Sequence, residues 1–151
     1  MTPVQILNLI IVTGNDNLPH AAWDYIRRIR AMNKTLYERL GGAKGIATIV
    51  DDLVARHLVN PALKTRFENI NDLEHAKQMA REFFSVGAGG PVTYTGKDMR
   101  TAHKGMNISE QEYLAAMDDV MGAVGANGAD DDTKKDVLAI LYSLKGEIIR
   151  V

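Results

Sequence analysis

Along most of this chain the apolar positions recur every three or four residues, the spacing that lines one face of an α-helix. Ile46, Val50, Leu53 and His57 stand at i, i+4, i+7 and i+11, which predicts a helix over residues 45–59. Asn60-Pro61 ends it, because proline cannot continue a helix and restricts the residue before it. A short piece follows over 62–67. Asp72 then caps a helix running to about residue 87, with Leu73, Ala76, Ala80, Phe83 and Gly87 along one face and Phe84 beside it. Upstream, Thr35 with Glu38 three residues later reads as a capping box opening a short helix, which Gly41-Gly42 ends.

Residues 87–96 break the pattern. Gly87, Gly89, Gly90, Gly96 and Pro91 make a stable helix there unfavourable, so a loop is expected that passes close to another group. Residues 97–104 have room for one or two helical turns. Ser109 with Glu112 forms a second capping box, and Tyr113, Met117, Val120 and Val124 supply the buried stripe of the helix it opens. Residues 125–128 separate that helix from a final run starting at Thr133, in which Val137, Ile140, Leu141, Leu144 and Ile148 face one way. No segment alternates as a strand does. The fold class is all-α.

The first 33 residues stand apart as an N-terminal extension, leaving 34–151 as the main domain. A turn cluster at 13–19 precedes a basic amphipathic helix over 21–32 that carries Trp23, Tyr25, Ile26 and Ile29. The apolar run at 6–12 is too short for a bilayer, which needs about 20 apolar residues, and it lacks the flanks of a signal peptide. A cytoplasmic protein without a membrane span is expected.

Composition narrows the chemistry. Eighteen basic residues against nineteen acidic ones, for a net charge of −1, leave none of the basic footprint of a nucleic-acid binder. The absence of cysteine excludes disulfides, iron–sulfur clusters, cysteine-ligated zinc and thiol catalysis. What remains is His20, His57, His75 and His103 together with the carboxylates. The acidic groups Asp51-Asp52, Asp118-Asp119 and Asp130-Asp131-Asp132 fall on helix surfaces or at a helix start, where they favour the dipole. No HExxH or GxSxG motif is present, and the glycine loop lacks the Gly-Lys-Ser/Thr ending of a phosphate cradle. His103 is the most informative histidine, lying on a short helix between Met99 and Met106. That setting suits an axial haem ligand, but on spacing alone a packed or surface histidine is the favoured reading.

The motifs settle on one family. Leu36-Tyr37-Glu38-Arg39-Leu40-Gly41-Gly42, Asn60-Pro61 followed by Arg66-Phe67, and Gly89-Gly90-Pro91 occur in order. Tyr94 to Met99, Ala102-His103-Lys104-Gly105-Met106 and Ile108-Ser109 complete the series. From Leu36 onward the chain resembles a group I truncated haemoglobin, the two-over-two helical globin. The resemblance implies a truncated globin sandwich holding haem b (iron protoporphyrin IX), with His103 as the proximal ligand. It assigns Phe67 to the aromatic packed on the porphyrin, and Phe83 and Phe84 to the helix covering the distal side. Tyr94, Lys97, Met99 and Met106 belong to the loop and short helix around the proximal ligand, with Lys97 placed to pair with a propionate.

On the distal side the chain departs from the family's hydrogen-bonding pattern. Val54 replaces a tyrosine, and Ala76, Met79 and Ala80 stand where glutamine or histidine is common. Each net hydrogen bond is worth about 0.5–1.5 kcal/mol, so losing two donors speeds oxygen release by roughly one to two orders of magnitude. The sixth iron position is left open to His57, His75, Gln78, water or no ligand. The implied function is binding of a diatomic gas (O2, NO or CO) for oxygen binding or transport, or for nitric oxide detoxification of the dioxygenase type with a reductase as electron donor. The alternative is a gas or redox sensor acting through residues 1–33. Oligomeric state leaves no signature in the residue pattern.

Overall fold

The structure is a computed structural model and describes residues 20–151. The apolar run at 6–12 and the turn cluster at 13–19 lie outside the described residues. The chain divides between Lys34 and Thr35 into two units. The first contains α1 (His20–Met32), an amphipathic helix in which Ile26 is buried and Arg27 pairs with Asp24 at 3.8 Å.

The second unit holds α2 (Leu36–Arg39), α3 (Gly42–Val59), α4 (Lys64–Phe67), α5 (Leu73–Gly87), α6 (Met99–His103), α7 (Glu110–Ala126), α8 (Asp131–Ser143) and α9 (Lys145–Ile148). Its architecture is two helix pairs, α3 with α5 and α7 with α8, stacked through the contact of α3 on α7. This is the all-α two-over-two sandwich expected from the sequence. Among the described residues there is no strand, only one parallel bridge between Ile108 and Ile149, and no helix long and apolar enough to cross a membrane.

Local chemistry explains the helix starts. Both predicted capping boxes form: Thr35 and Ser109 each accept from the backbone N–H three residues on, and the Glu38 and Glu112 carboxylates answer at the cap backbone. Asp72, Asp98 and Asp130 cap α5, α6 and α8 in the same one-sided way. Two of the boundaries that differ from the sequence reading have a local cause. Helix α3 opens at Gly42 rather than at residue 45, because Gly41 at φ 88° makes the reversal within two residues and lets the next helix begin at once. The last apolar run is interrupted at Leu144, so α8 ends at Ser143 and α9 carries Ile148 separately. The apolar spacing continues through this break, which is why the break left no mark on the hydrophobic pattern.

The core sits between α3 and α7. Ile46, Ile49, Val50, Ala123 and Val124 are essentially inaccessible, and Leu53, Val54 and Val120 join them, with Ala80 and Phe84 of α5 packed on this cluster. At about 25 cal/mol per Å² of apolar surface, full burial of each large aliphatic side chain stabilises by about 1.5–3 kcal/mol. A second, smaller cluster of Tyr113, Met117 and Ile148 receives Met99 and Leu144, and thereby seats the short α6 against α7 and α9.

Candidate haem site

His103 closes α6, and the helix decides its tautomer. Its Nδ1 lies 2.7 Å from the Met99 carbonyl one turn earlier. A carbonyl oxygen only accepts, so Nδ1 carries the proton and donates, leaving the lone pair on Nε2. A half-buried imidazole with one nitrogen spent on backbone is arranged as a metal ligand is in other proteins. Among the described residues no three of His, Asp and Glu cluster to hold a metal by themselves. A single oriented imidazole therefore fits a metal whose remaining ligands come from its own macrocycle, and a haem meets that condition.

The apolar side chains fit the same group. Phe67, Phe83, Phe84, Met79 and Met99 are half-buried, leaving apolar surface for a flat macrocycle. Phe83 meets Tyr94 edge to face at 5.6 Å, joining α5 to the loop before α6. The Tyr94 hydroxyl donates to the Lys97 carbonyl at 2.7 Å, and burial pushes its pKa up. A small apolar cleft beside Phe83 and Phe84 is walled by Leu36, Leu40, Leu141 and Leu144, and His103, Phe67, Met79 and Met99 do not line it. Gly90 brings the loop close: a β-carbon there would lie 2.5 Å from the Tyr37 ring.

The residues assigned to the distal side do not share one environment. Val54 is buried in the main core, with Ala80 and Phe84 packed on the same cluster, whereas Ala76 and Met79 are half-buried on α5. None carries a polar side chain. Lys97 is exposed, and Met106 is 38% exposed with its carbonyl taken by Arg66.

The candidates for a sixth ligand are engaged elsewhere or face water. His57 is buried, and its Nδ1 donates to Asp119 at 2.8 Å while its ring lies 4.7 Å from that of Phe67. Asn60 donates to the same carboxylate oxygen at 2.9 Å. Burial pushes the His57 pKa down against the opposing pull of Asp119. His75 is exposed in the first turn of α5, and the Gln78 amide donates to Glu82 at 3.0 Å.

Three polar partners escaped the sequence reading: Asp119 on His57, Glu82 on Thr95, and Glu112 on Arg66. They join positions 62, 13 and 46 residues apart, beyond any local spacing rule. The Met99 carbonyl was legible, since i and i−4 adjoin on any helix.

An oriented histidine on a five-residue helix within a two-over-two sandwich is the arrangement of a small globin. The chain belongs to the bacterial-like globin family, whose model matches residues 35–150. It is similar to group 1 truncated hemoglobin of Tetrahymena pyriformis, at 28% identity over 78% of this chain and 98% of that protein. It is also similar to group 1 truncated hemoglobin GlbN of Mycolicibacterium paratuberculosis, at 28% identity over 79% of this chain and 87% of the relative. The crystal structure of the Tetrahymena pyriformis truncated hemoglobin in its Fe(III) form superposes with a TM-score of 0.75 at 25% identity, covering 78% of this chain and all of that one. The hemoglobin of Chloroflexus aurantiacus matches with a TM-score of 0.68 at 26% identity, over 78% of this chain and 100% of the other.

Proposed function

We propose that this chain is a haem b protein that binds a diatomic gas, with His103 as the proximal ligand. The observation that carries the reading is the 2.7 Å bond from His103 Nδ1 to the Met99 carbonyl, which leaves one lone pair on Nε2. When bound, the macrocycle would be held by His103 and would supply an iron able to bind a diatomic gas. The Met99 carbonyl fixes the ring plane and makes Nε2 more basic, as outer-shell acceptors do for metal-bound histidines. Phe67, Phe83, Phe84, Met79 and Met99 lower the local polarity and keep water out.

Val54, Ala76, Met79 and Ala80 offer no hydrogen-bond donor, so the distal face discriminates among gases by size and polarity alone. That chemistry favours rapid exchange of oxygen, or reaction with nitric oxide, over tight oxygen storage. Oxygen delivery and nitric oxide detoxification, the latter with an electron-donating reductase, are the two roles it supports. The names of the relatives, group 1 truncated hemoglobins, support the gas-binding reading.

Titration of hemin into the apoprotein, followed by reduction and carbon monoxide, tests it. A Soret band saturating at one hemin per chain and shifting with carbon monoxide is expected. Absorbance that rises as for free hemin, without saturation, contradicts the assignment.

A further inference from the structure

Helix α6 has five residues, too few to hold a place by itself, so the position of His103 depends on what grips the two flanks of that helix. On the upstream flank, Glu82 of α5 accepts from the Thr95 N–H at 2.9 Å and from the Thr95 hydroxyl at 2.7 Å through one carboxylate oxygen. The Gln78 amide donates to its other oxygen at 3.0 Å. The grip passes along the chain through covalent neighbours. Tyr94, next to Thr95, packs on Phe83 and donates to the Lys97 carbonyl, and Asp98 then caps α6 by accepting from the Thr101 N–H at 2.9 Å.

On the downstream flank, Arg66 of α4 donates to the Met106 carbonyl at 2.7 Å and to Glu112 of α7 at 2.7 Å. The Met106 N–H in turn donates to the His103 carbonyl at 3.0 Å. This flank has further backbone support, since the Gly105 N–H donates to the Val151 carbonyl and the Arg150 N–H to that of Ile108, both at 3.0 Å.

We propose that Glu82 and Arg66 are positioning residues for His103: one clasp ties the loop before α6 to the distal helix, the other ties the turn after it to α4 and α7, and together they set how long the haem is retained. The proposal rests on the haem reading above. It ranks the two sides as well. The upstream clasp is the stronger control, because the downstream turn keeps its backbone bonds when Arg66 is lost.

The test measures transfer of hemin from the loaded protein to excess apomyoglobin, with urea unfolding of each apoprotein alongside. Glu82→Ala is expected to speed hemin loss about fivefold, and Arg66→Lys about twofold, within the range that one or two net hydrogen bonds supply. Glu82→Gln, which keeps an acceptor for Thr95, is expected to fall between wild type and Glu82→Ala. If Glu82→Ala does not fold, Thr95→Val removes the hydroxyl alone and is expected to speed loss about twofold. The iron–histidine stretching line of the ferrous Glu82→Ala protein is expected to broaden or shift. Wild-type loss rates in all variants overturn the proposal. So does acceleration that merely follows a lowered urea midpoint with an unchanged iron–histidine line, which marks a structural role only. Failure of the wild-type chain to take up hemin overturns the haem reading instead, and the proposal with it.

Discussion

The surroundings of His103 and the residues that the resemblance assigns to the distal side are built on opposite principles. Around His103 each polar atom discussed has a partner: Nδ1 on the Met99 carbonyl, Asp98 on the helix start, Tyr94 on Lys97, Arg66 on Met106. Val54, Ala76, Met79 and Ala80, which the resemblance assigns to the distal side, carry only apolar side chains, while His57 is tied to Asp119 and His75 is exposed. His57 illustrates the contrast best. Both it and His103 donate from Nδ1 and keep a lone pair on Nε2, yet His57 is 7% exposed, pressed against Phe67 and tied to α7, whereas His103 is half-buried. An imidazole becomes a candidate ligand through what surrounds its free nitrogen. Proximity in sequence to a site does not suffice.

Substitutions on each half sharpen this contrast. The largest effect is expected from His103→Ala, which should lower hemin affinity by more than about a hundredfold, beyond the loss produced by removing an outer-shell partner. Equilibrium hemin titration measures it. On the distal half, Val54→Tyr should slow oxygen dissociation by about tenfold, since a hydrogen bond to a charged acceptor contributes about 1.5–3 kcal/mol. Stopped-flow release measures this, and the added ring should also cost about 1–3 kcal/mol of stability through overpacking of the main core.

Gly90→Ala bears on the loop that joins the halves. With a β-carbon 2.5 Å from the Tyr37 ring, it should destabilise the fold by about 1–2 kcal/mol in urea unfolding.

The smallest effect is a pH dependence of stability that His57 contributes. Burial holds the folded-state pKa of His57 below its ordinary value, so its contribution to stability is complete above the usual histidine range and is lost as pH falls through the folded pKa. Unfolding free energy should therefore decline on acidification below about pH 6.5, and His57→Gln should flatten that limb. At lower pH a second decline is expected from Glu112, whose carboxyl is held down to about 2 by the Ser109 backbone and hydroxyl and by Arg66. This carboxylate stabilises the fold above its ordinary pKa, and the contribution disappears as pH drops towards about 2.

Local rules account for most of what the sequence disclosed. Capping boxes at Thr35 and Ser109, the stop at Asn60-Pro61 and the apolar stripes of α3 and α7 each depend on residues within two helical turns, and all appear in the structure, whereas the α5 stripe is only half-buried and Gly87 at its end is exposed. The motif around His103 placed it on a short helix, as observed. What stayed hidden depends on tertiary contact. Asp119 carried no local sign that it would meet His57, and it had read only as a solvated acid. The break at Leu144 stayed hidden for a different reason, because apolar spacing persists across it. Neither Glu82 nor Arg66 of the Arg66-Phe67 motif carried a local sign that the fold would bring Thr95 and Met106 beside it.

In the function proposed above, His103 holds the iron through Nε2. Resonance Raman spectra of the ferrous hemin-loaded protein test it most directly, comparing wild type with His103→Gly in the presence and absence of 15N-labelled imidazole. The wild type should show an iron–nitrogen stretching line that is lost in the variant and returns with an isotope shift when imidazole is added. An unchanged line in His103→Gly without imidazole would place the ligand elsewhere and contradict the account.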